Sequence, residues 1–236
     1  MIQPRQSEVR NRLLATLAAD DFARLCPALE HVPLRLHETV LKPHQPIEHA
    51  YFVESGLCSY LADTHDGRIE IGLVGPEGMV GTPLVLGADR VPFTVLVQGE
   101  GEALRIPAVD LCAALDASPA LRGLLGRYVQ SFIAQVGGTA YANAELTIEA
   151  RLARWLLMYQ DRMDQDDLPI THEFLSLMLG VRRPGVTTAT HVLEAGGMIQ
   201  ARRGHITVLN REKLESMVGD TYGAAEAEYE RLIADA

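Results

Sequence analysis

The stretch ITHEFLSLMLGVRRPGVTTATHVLEAGGMI, residues 170–199, contains two short helix patterns separated by a glycine. Thr171 is suited to cap the first helix, and Gly180 can supply the positive φ that a tight turn requires. Pro184 can open the second helix, where its missing N–H costs nothing. One face of that second helix is apolar, at i, i+3 and i+7: Val186, Ala189 and Leu193. The stretch predicts a helix-turn-helix whose second helix turns its other face to solvent.

An ordinary helical hairpin inside a domain would give the same pattern, but the residues that follow favour a DNA-binding unit. Met198 and Ile199 begin a strand pattern, a basic turn follows at residues 202–204 (RRG), and apolar residues return at 206–209. A β-hairpin with arginines at its tip is typical of a wing that lies on a phosphate backbone. Residues 181–213 carry a net charge of +4 within a chain of net charge −10. This local basic surface predicts binding to double-stranded DNA.

The order and spacing of motifs over residues 15–215 are similar to those of the Crp/Fnr family. The Gly180 turn and residues 193–199 (LEAGGMI) resemble its C-terminal winged helix, and residues 40–45, 51–56 and 78–81 resemble its β-roll. The resemblance implies an α+β fold. We expect an N-terminal antiparallel β-roll (a jelly roll of the cyclic-nucleotide-binding type, 1–117), a long dimerisation helix (118–149) and a winged helix-turn-helix (150–218). Residues 219–236 are expected to form a polar, solvated C-terminal tail.

The resemblance places base-reading side chains at the start of the second helix. Family members commonly carry an arginine, a glutamate and, one turn on, an arginine, where this chain has Arg183, Pro184 and Thr188. Arg183 can make the bidentate contact to guanine O6 and N7, whereas Pro184 offers only apolar contact. A phosphate clamp or a surface ion pair is the alternative role for Arg183. The predicted DNA-binding residues are Arg182, Arg183, Pro184, Thr187, Thr188, His191, Arg202 and Arg203.

A long helix is predicted from Ser118-Pro119, an N-cap followed by a proline suited to the first helical position. Four large residues in it alternate spacings of 4, 3 and 4: Leu121, Leu125, Tyr128 and Phe132. This spacing is typical of a coiled-coil seam, and the family resemblance implies that the seam joins two copies of the chain. The alternative is a helix packed on its own domain. Gly137-Gly138 weakens the helix pattern.

The effector segment of the β-roll differs from that of cyclic-AMP-binding relatives, which carry a Gly-Glu pair and an Arg-Ser or Arg-Thr pair. Here Gly81 is followed by Thr82, and Arg90 is followed by Val91 and Pro92. We therefore predict no cyclic nucleotide binding and a degenerate effector domain. The eight histidines show no haem signature, so no cofactor is predicted, and a small effector of unknown identity is the remaining candidate ligand.

Other function classes find little support in the sequence. It has no Gly-rich phosphate loop, nucleophile elbow or metal-ligand cluster, so no enzyme is predicted. Cys26, Cys58 and Cys112 are interpreted as buried thiols, with a redox-sensing thiol as the alternative. No apolar run approaches a membrane span, and we expect a cytoplasmic protein. The prediction is a homodimeric transcription regulator on a pseudo-palindromic operator, with RNA polymerase as a candidate partner; the rival is a cyclic-nucleotide-binding module that acts through protein contacts.

Overall fold

The computed structural model describes residues 3–64 and 67–234 of the protein. Two short helices, α1 (Arg12–Thr16) and α2 (Ala19–Leu25), lead into one antiparallel sheet. Its strands are β1 (Glu30–Leu34), β2 (Thr39–Leu41), β3 (His49–Thr64), β4 (Gly67–Val74), β5 (Met79–Val80) and β6 (Thr94–Pro107). The order is β1-β6-β3-β4, with β2 paired to β6 and β5 to β3. This sheet is the predicted β-roll.

The sequence also predicts a hairpin here, because an Asp66-Gly67 turn precedes alternating apolar residues at 69, 71 and 73. The strands of this hairpin, β3 and β4, are confirmed. Leu61 pairs with Glu70 and Ala62 pairs with Ile69. Asp66, the first residue of the predicted Asp66-Gly67 turn, lies outside the described residues.

A long helix follows the roll, as predicted. After α3 (Ala108–Ala117), helix α4 (Pro119–Glu145) begins where the Ser118 hydroxyl accepts a hydrogen bond from the Leu121 N–H at 3.1 Å. At 1.5 Å per residue, α4 is about 40 Å long. It continues through Gly137-Gly138 without a break.

The predicted seam of α4 faces its own β-roll, so its assignment to a dimer interface was wrong. Leu121 and Leu125 are fully buried within the chain, and Tyr128 is 3% exposed. The half-buried Phe132 ring lies 5.0 Å from the ring of Tyr60 on β3. The open side of a roll is apolar and must be covered, and these residues cover it. The alternative of a helix packed on its own domain therefore holds for this face.

The solvent face of α4 carries a second repeat, with spacings of 4 and 3. Its members are exposed or half-buried and mostly small: Gly126, Gln130, Ile133, Gly137, Ala140 and Ala144. Ile133 is 55% exposed and neighbouring Tyr141 is 56% exposed, although both are large apolar side chains. This face is available to a partner helix, and its glycines would allow close approach.

The C-terminal half starts with α5 (Ile148–Met163) and short strand β7 (Asp167–Leu168). Helices α6 (His172–Leu179) and α7 (Arg183–Ala195) form the helix-turn-helix. Strands β8 (Ile199–Arg202) and β9 (His205–Val208) precede α8 (Arg211–Val218). The sheet order is β7-β9-β8. The Thr171 hydroxyl caps α6 by accepting the Phe174 N–H at 3.2 Å, as predicted.

The two halves share one apolar core. Leu57, Leu61 and Leu73 of the roll are buried in the same cluster as the side chains of α5. Within this interface the carboxylate of Glu70 is buried, accepting the indole N–H of Trp155 at 2.8 Å and lying 2.6 Å from the Ser59 hydroxyl oxygen. Burial raises the pKa of Glu70 to about 7, against the opposing effect of these bonds and of Arg162 and Arg154.

This carboxylate should make the protein less stable as pH rises. The folded state holds the proton more tightly than the unfolded chain, whose ordinary pKa is 4.5. The contribution of Glu70 to the free energy of unfolding is therefore complete below about pH 4.5. It is lost as pH rises through about 7, by roughly 3 kcal/mol in total. Glu70→Gln keeps acceptor and donor groups for Trp155 and Ser59 and should flatten this dependence. Urea unfolding between pH 5 and 8 measures it, with a substitution of the exposed Glu100, Glu100→Gln, as control; equal slopes in all three proteins would contradict it.

The last segment is not the solvated tail that the sequence predicted. Helix α9 (Ala224–Tyr229) and a π-helical turn (Glu230–Ala234) pack on α4, with Tyr229 and Ile233 buried. Glu230 accepts two hydrogen bonds from Arg12 on α1, at 2.6 and 2.9 Å. From the sequence we interpreted the alternating glutamates at 226, 228 and 230 as a solvated surface and gave no weight to the apolar residues beside them, such as Tyr229. We refer to residues 222–234 as the C-terminal strap, because it connects the C-terminal half to the roll.

Across residues 3–64 and 67–234, no helix is both long and apolar enough to cross a bilayer.

Candidate nucleic-acid interface

The turn between α6 and α7 has the geometry that the sequence predicted. Gly180 has φ of 60°, in the left-handed region that glycine adopts without strain. The turn is closed by the Val181 N–H donating to the Ser176 carbonyl at 3.0 Å. Arg182 is the N-cap of α7, but its side chain makes no capping bond and is exposed. The turn thus leaves the Arg182 guanidinium free to meet a ligand.

The outer face of α7 holds the predicted base-reading residues. The apolar face formed by Val186, Ala189 and Leu193 is fully buried, as predicted. Five predicted residues on the helix or at its start are exposed, and Thr187 is half-buried: Arg182, Arg183, Pro184, Thr188 and His191. The hydroxyls of Thr187 and Thr188 donate to the carbonyls of residues 183 and 184, at 3.2 and 3.1 Å. Their outward lone pairs can accept hydrogen bonds from base amino groups.

His172, at the start of α6, adjoins this face and was missed in the sequence analysis. Its Nδ1 lies 3.2 Å from the Thr187 hydroxyl oxygen. Burial lowers the pKa of His172, and the charges of Arg183 and His191 lower it further. The imidazole is therefore mainly neutral at pH 7. Its position directly after the Thr171 cap is the one sequence signal that could have indicated it.

The wing lies on strands β8 and β9, as predicted. Arg203 and Gly204 form a two-residue turn, with Gly204 at φ of 79°. Arg202 and Arg203 are exposed at the tip. Beside them, His205 Nδ1 lies 3.2 Å from an Asp167 carboxylate oxygen, a contact that ties the wing to β7. These positions suit phosphate contacts.

Contacts inside the protein separate the six basic residues of this region into two groups. Arg211 pairs with Asp161 at 2.8 Å and Glu215 at 2.7 Å, and Lys213 donates to the Gly196 carbonyl at 2.9 Å. The other four are the predicted DNA contacts; in the described part of the chain, none lies within 4.0 Å of a carboxylate. They are Arg182, Arg183, Arg202 and Arg203. The nearby acid Glu194 is held inward by accepting the Ala201 N–H at 2.8 Å.

The effector segment of the roll is occupied by the protein's own side chains. The Gly81 N–H, at the start of the segment, donates to the Tyr60 hydroxyl at 3.3 Å. The Tyr60 ring packs against Phe132 of α4. Arg90, near the end of the segment, has a side chain that is 57% exposed and pairs with Asp89 at 3.4 Å. The Gly81 N–H is thus bonded to Tyr60, and the Arg90 guanidinium is paired with Asp89. Neither group is left free to bind a cyclic phosphate.

Cyclic AMP should therefore change neither the melting temperature nor the DNA affinity. A ligand at 100 times its Kd would stabilise the protein by about 2.7 kcal/mol, which a thermal melt detects easily. Differential scanning fluorimetry with millimolar cyclic AMP, with and without DNA, measures the effect. A shift of several degrees would show that the protein binds the nucleotide and would contradict this prediction.

Metal and thiol chemistry add nothing to this site. Within the two described ranges, no three His, Cys, Asp or Glu side chains are grouped closely enough to hold a metal ion. Cys58 is buried, as predicted, which raises its pKa to about 12 and leaves the thiol unreactive near neutral pH. Cys26 and Cys112 are only half-buried.

Two sequence profiles match the chain in succession. Residues 31–118 match the cyclic nucleotide-binding domain, and residues 150–217 match the Crp-like helix-turn-helix domain. The chain belongs to the Crp/Fnr family. This agrees with the roll, long helix and winged helix-turn-helix described above. No curated protein sequence matches the chain.

Solved structures of Crp/Fnr proteins share the fold at low sequence identity. A protein assigned to the Crp/Fnr transcriptional regulators from Eubacterium rectale is 17% identical, with a TM-score of 0.70 over 87% of this chain and 97% of that chain. FixK2 from Bradyrhizobium japonicum is 16% identical, with a TM-score of 0.70 over 81% and 98%. The c-di-GMP-responsive regulator CLP from Xanthomonas campestris is 19% identical, with a TM-score of 0.67 over 81% and 99%.

Proposed function

We propose that this Crp/Fnr protein is a sequence-specific DNA-binding transcription regulator that acts as a homodimer. The observation that carries the proposal is the set of four exposed arginines on α7 and the wing, none of which is neutralised by a carboxylate in the described ranges. Unpaired guanidinium groups on an acidic protein create a local positive potential that attracts a polyanion. RNA polymerase stays a predicted partner.

The homodimer uses the solvent face of α4 in this proposal. Its repeat of small residues around Ile133 provides a narrow contact stripe, and burying Ile133 from two copies removes apolar surface from water. Two winged helices related by a two-fold axis would read half-sites one DNA turn, ~34 Å, apart. The operator is therefore a pseudo-palindrome.

Within each half-site the roles differ by position. Arg183, with Arg182 beside it, reads guanine through O6 and N7, and Pro184 contacts a thymine methyl. Thr187, Thr188 and His191 read bases or hold phosphates. Arg202 and Arg203 contact phosphate and carry no sequence preference.

Fluorescence anisotropy with a labelled operator from a binding selection tests the proposal. We expect affinity to fall by about 10³-fold or more between 50 and 200 mM salt, because released counterions drive binding. Selected sequences should show two-fold symmetry. A cyclic-nucleotide-binding module that acts through protein contacts would select no motif and show no specific DNA binding, and that result would refute the proposal.

A further inference from the structure

A cavity of about 340 Å³ lies beneath the C-terminal strap. Its walls come from five parts of the protein: α1, the β4–β5 turn, α4, α5 and the strap. Neither Tyr60 nor Thr82 of the effector segment lines it. Its volume lies within the range of small-molecule sites, and a mixture of aromatic walls with a few polar groups is typical of them.

The walls of the cavity combine aromatic rings with negative charge. Four aromatic side chains line it: Tyr128, Phe132, Tyr222 and Tyr229. Four carboxylates line it with them, against two guanidinium groups: Glu77, Asp161, Glu226 and Glu230. Such a lining attracts a cation and repels an anion.

Three of the four carboxylates already have an arginine partner. Glu77 pairs with Arg162 at 2.7 Å, Asp161 with Arg211 at 2.8 Å, and Glu230 with Arg12 at 2.6 Å. Glu226 accepts the Gly223 N–H at 3.2 Å, but no basic group of the described chain lies within 4.0 Å of it. Glu226 thus makes no direct ion pair, and only the more distant charges of Arg154 and Arg162 act on it.

The tyrosine rings here already bind cations from the protein itself. The Arg12 guanidinium lies 4.8 Å from the centre of the Tyr229 ring, and that of Arg211 lies 5.6 Å from the centre of the Tyr222 ring. Aromatic faces attract cations through their quadrupole, most strongly where water is excluded. Tyr128 and Phe132 have no such cation contact within the described residues, so the site can offer an organic cation aromatic rings as well as a carboxylate.

We propose that the cavity under the C-terminal strap is a binding site for small aromatic organic cations, with Glu226 as the counterion. Because the roll, α5 and the strap all contribute walls, an occupant contacts both halves of the protein. Occupancy then favours one arrangement of the halves and changes DNA affinity. This second part rests on the proposed DNA-binding function, whereas cation binding does not.

Three phenyl probes of similar size and different charge test the site: 2-phenylethylammonium, neutral 2-phenylethanol and the slightly larger anion 3-phenylpropanoate. Isothermal titration calorimetry of the full chain without DNA should give a Kd on the order of 1 mM for the cation, as expected for a fragment of this size. The neutral probe should bind at least about tenfold more weakly, because it forms no ion pair or cation–π contact. The anion should not bind.

Two pairs of variants place the binding in this cavity. Ala225→Trp should fill it and abolish cation binding, whereas Ala224→Trp, on the exposed side of α9, should have no effect. Glu226→Gln keeps an acceptor for the Gly223 N–H and should remove the preference for the cation, unlike Glu228→Gln outside the cavity. If Ala225→Trp fails to fold, the Glu226 pair still decides.

Several outcomes would overturn the proposal. These are equal affinity for all three probes, no binding of the cation at about 10 mM, or retained cation preference in Glu226→Gln. Anisotropy with operator DNA then tests the effect on DNA affinity. If the affinity for operator DNA is the same with and without bound cation, only the proposed effect on DNA affinity is overturned. If the protein binds no DNA at all, the proposed function is refuted, but the calorimetric test of cation binding is unaffected.

Discussion

Replacing Ile133 by glutamate should convert the proposed homodimer to a monomer and weaken operator binding by about a hundredfold or more. Ile133 is 55% exposed on the solvent face of α4, so the substitution leaves the core of the protomer intact. In the dimer it would place two carboxylates at the two-fold axis, where they repel each other and lose water. A monomer holds one half-site and loses the avidity of two linked sites, about 10²–10⁴-fold. Sedimentation at micromolar concentration and operator anisotropy measure both effects.

Two further variants test whether the effect is specific to the solvent face of α4. Val109→Glu replaces an even more exposed apolar residue, at 72%, on α3 and should leave dimer and affinity unchanged. Leu125→Glu buries a charge against the roll and should unfold the protein, not release intact monomers, because an uncompensated buried carboxylate costs several kcal/mol. A stable Leu125→Glu monomer, or an Ile133→Glu protein that remains dimeric, would return the interface to the buried face of α4.

Removing the Arg183 side chain should cost about 1–3 kcal/mol for each half-site and flatten base discrimination at one position. Arg183 is exposed at the first turn of α7 and has no carboxylate partner in the described chain, so Arg183→Ala removes no internal ion pair. The loss should therefore appear in binding and leave the melting temperature unchanged. Binding selection with the variant, compared with the wild type, measures the change of motif.

Arg203→Ala is the matched control for a contact with phosphate alone. It should weaken all sequences alike, preserve the motif and lower the salt slope by about one for each subunit. If Arg183→Ala returned the wild-type motif with a reduced salt slope, then Arg183 would be a phosphate clamp and Pro184, Thr188 or His191 would carry the readout.

The recognition elements were predictable from sequence because their signals are local. A capping Thr171, a glycine that adopts positive φ at 180 and an apolar stripe fix the helix-turn-helix through residues a few positions apart. The wing needed only a strand pattern around a basic turn. The same local reasoning overlooked His172, whose relevance depends on its contact with Thr187, 15 residues away.

The partner of α4 was not predictable in this way. Two repeats with spacings of 3 and 4 run along the same helix, one through Leu125 and one through Ile133. We assigned the Leu125 repeat to the dimer interface because its side chains are the larger ones. In the structure these side chains pack on the roll, whose apolar surface they cover. Sequence spacing identifies which residues share a face of a helix, but not what the face meets.

The bond between Arg12 and Glu230 joins residues 218 positions apart. During translation the roll and α4 emerge first, and the groove for Tyr229 and Ile233 stays uncovered until the entire winged helix has left the ribosome. The packing of the roll half is consequently incomplete until the C-terminal half has been synthesised. A fragment that ends after α4 would leave this apolar groove exposed, and we expect it to aggregate on expression. The intact chain is therefore the smallest unit that we expect to stay in solution.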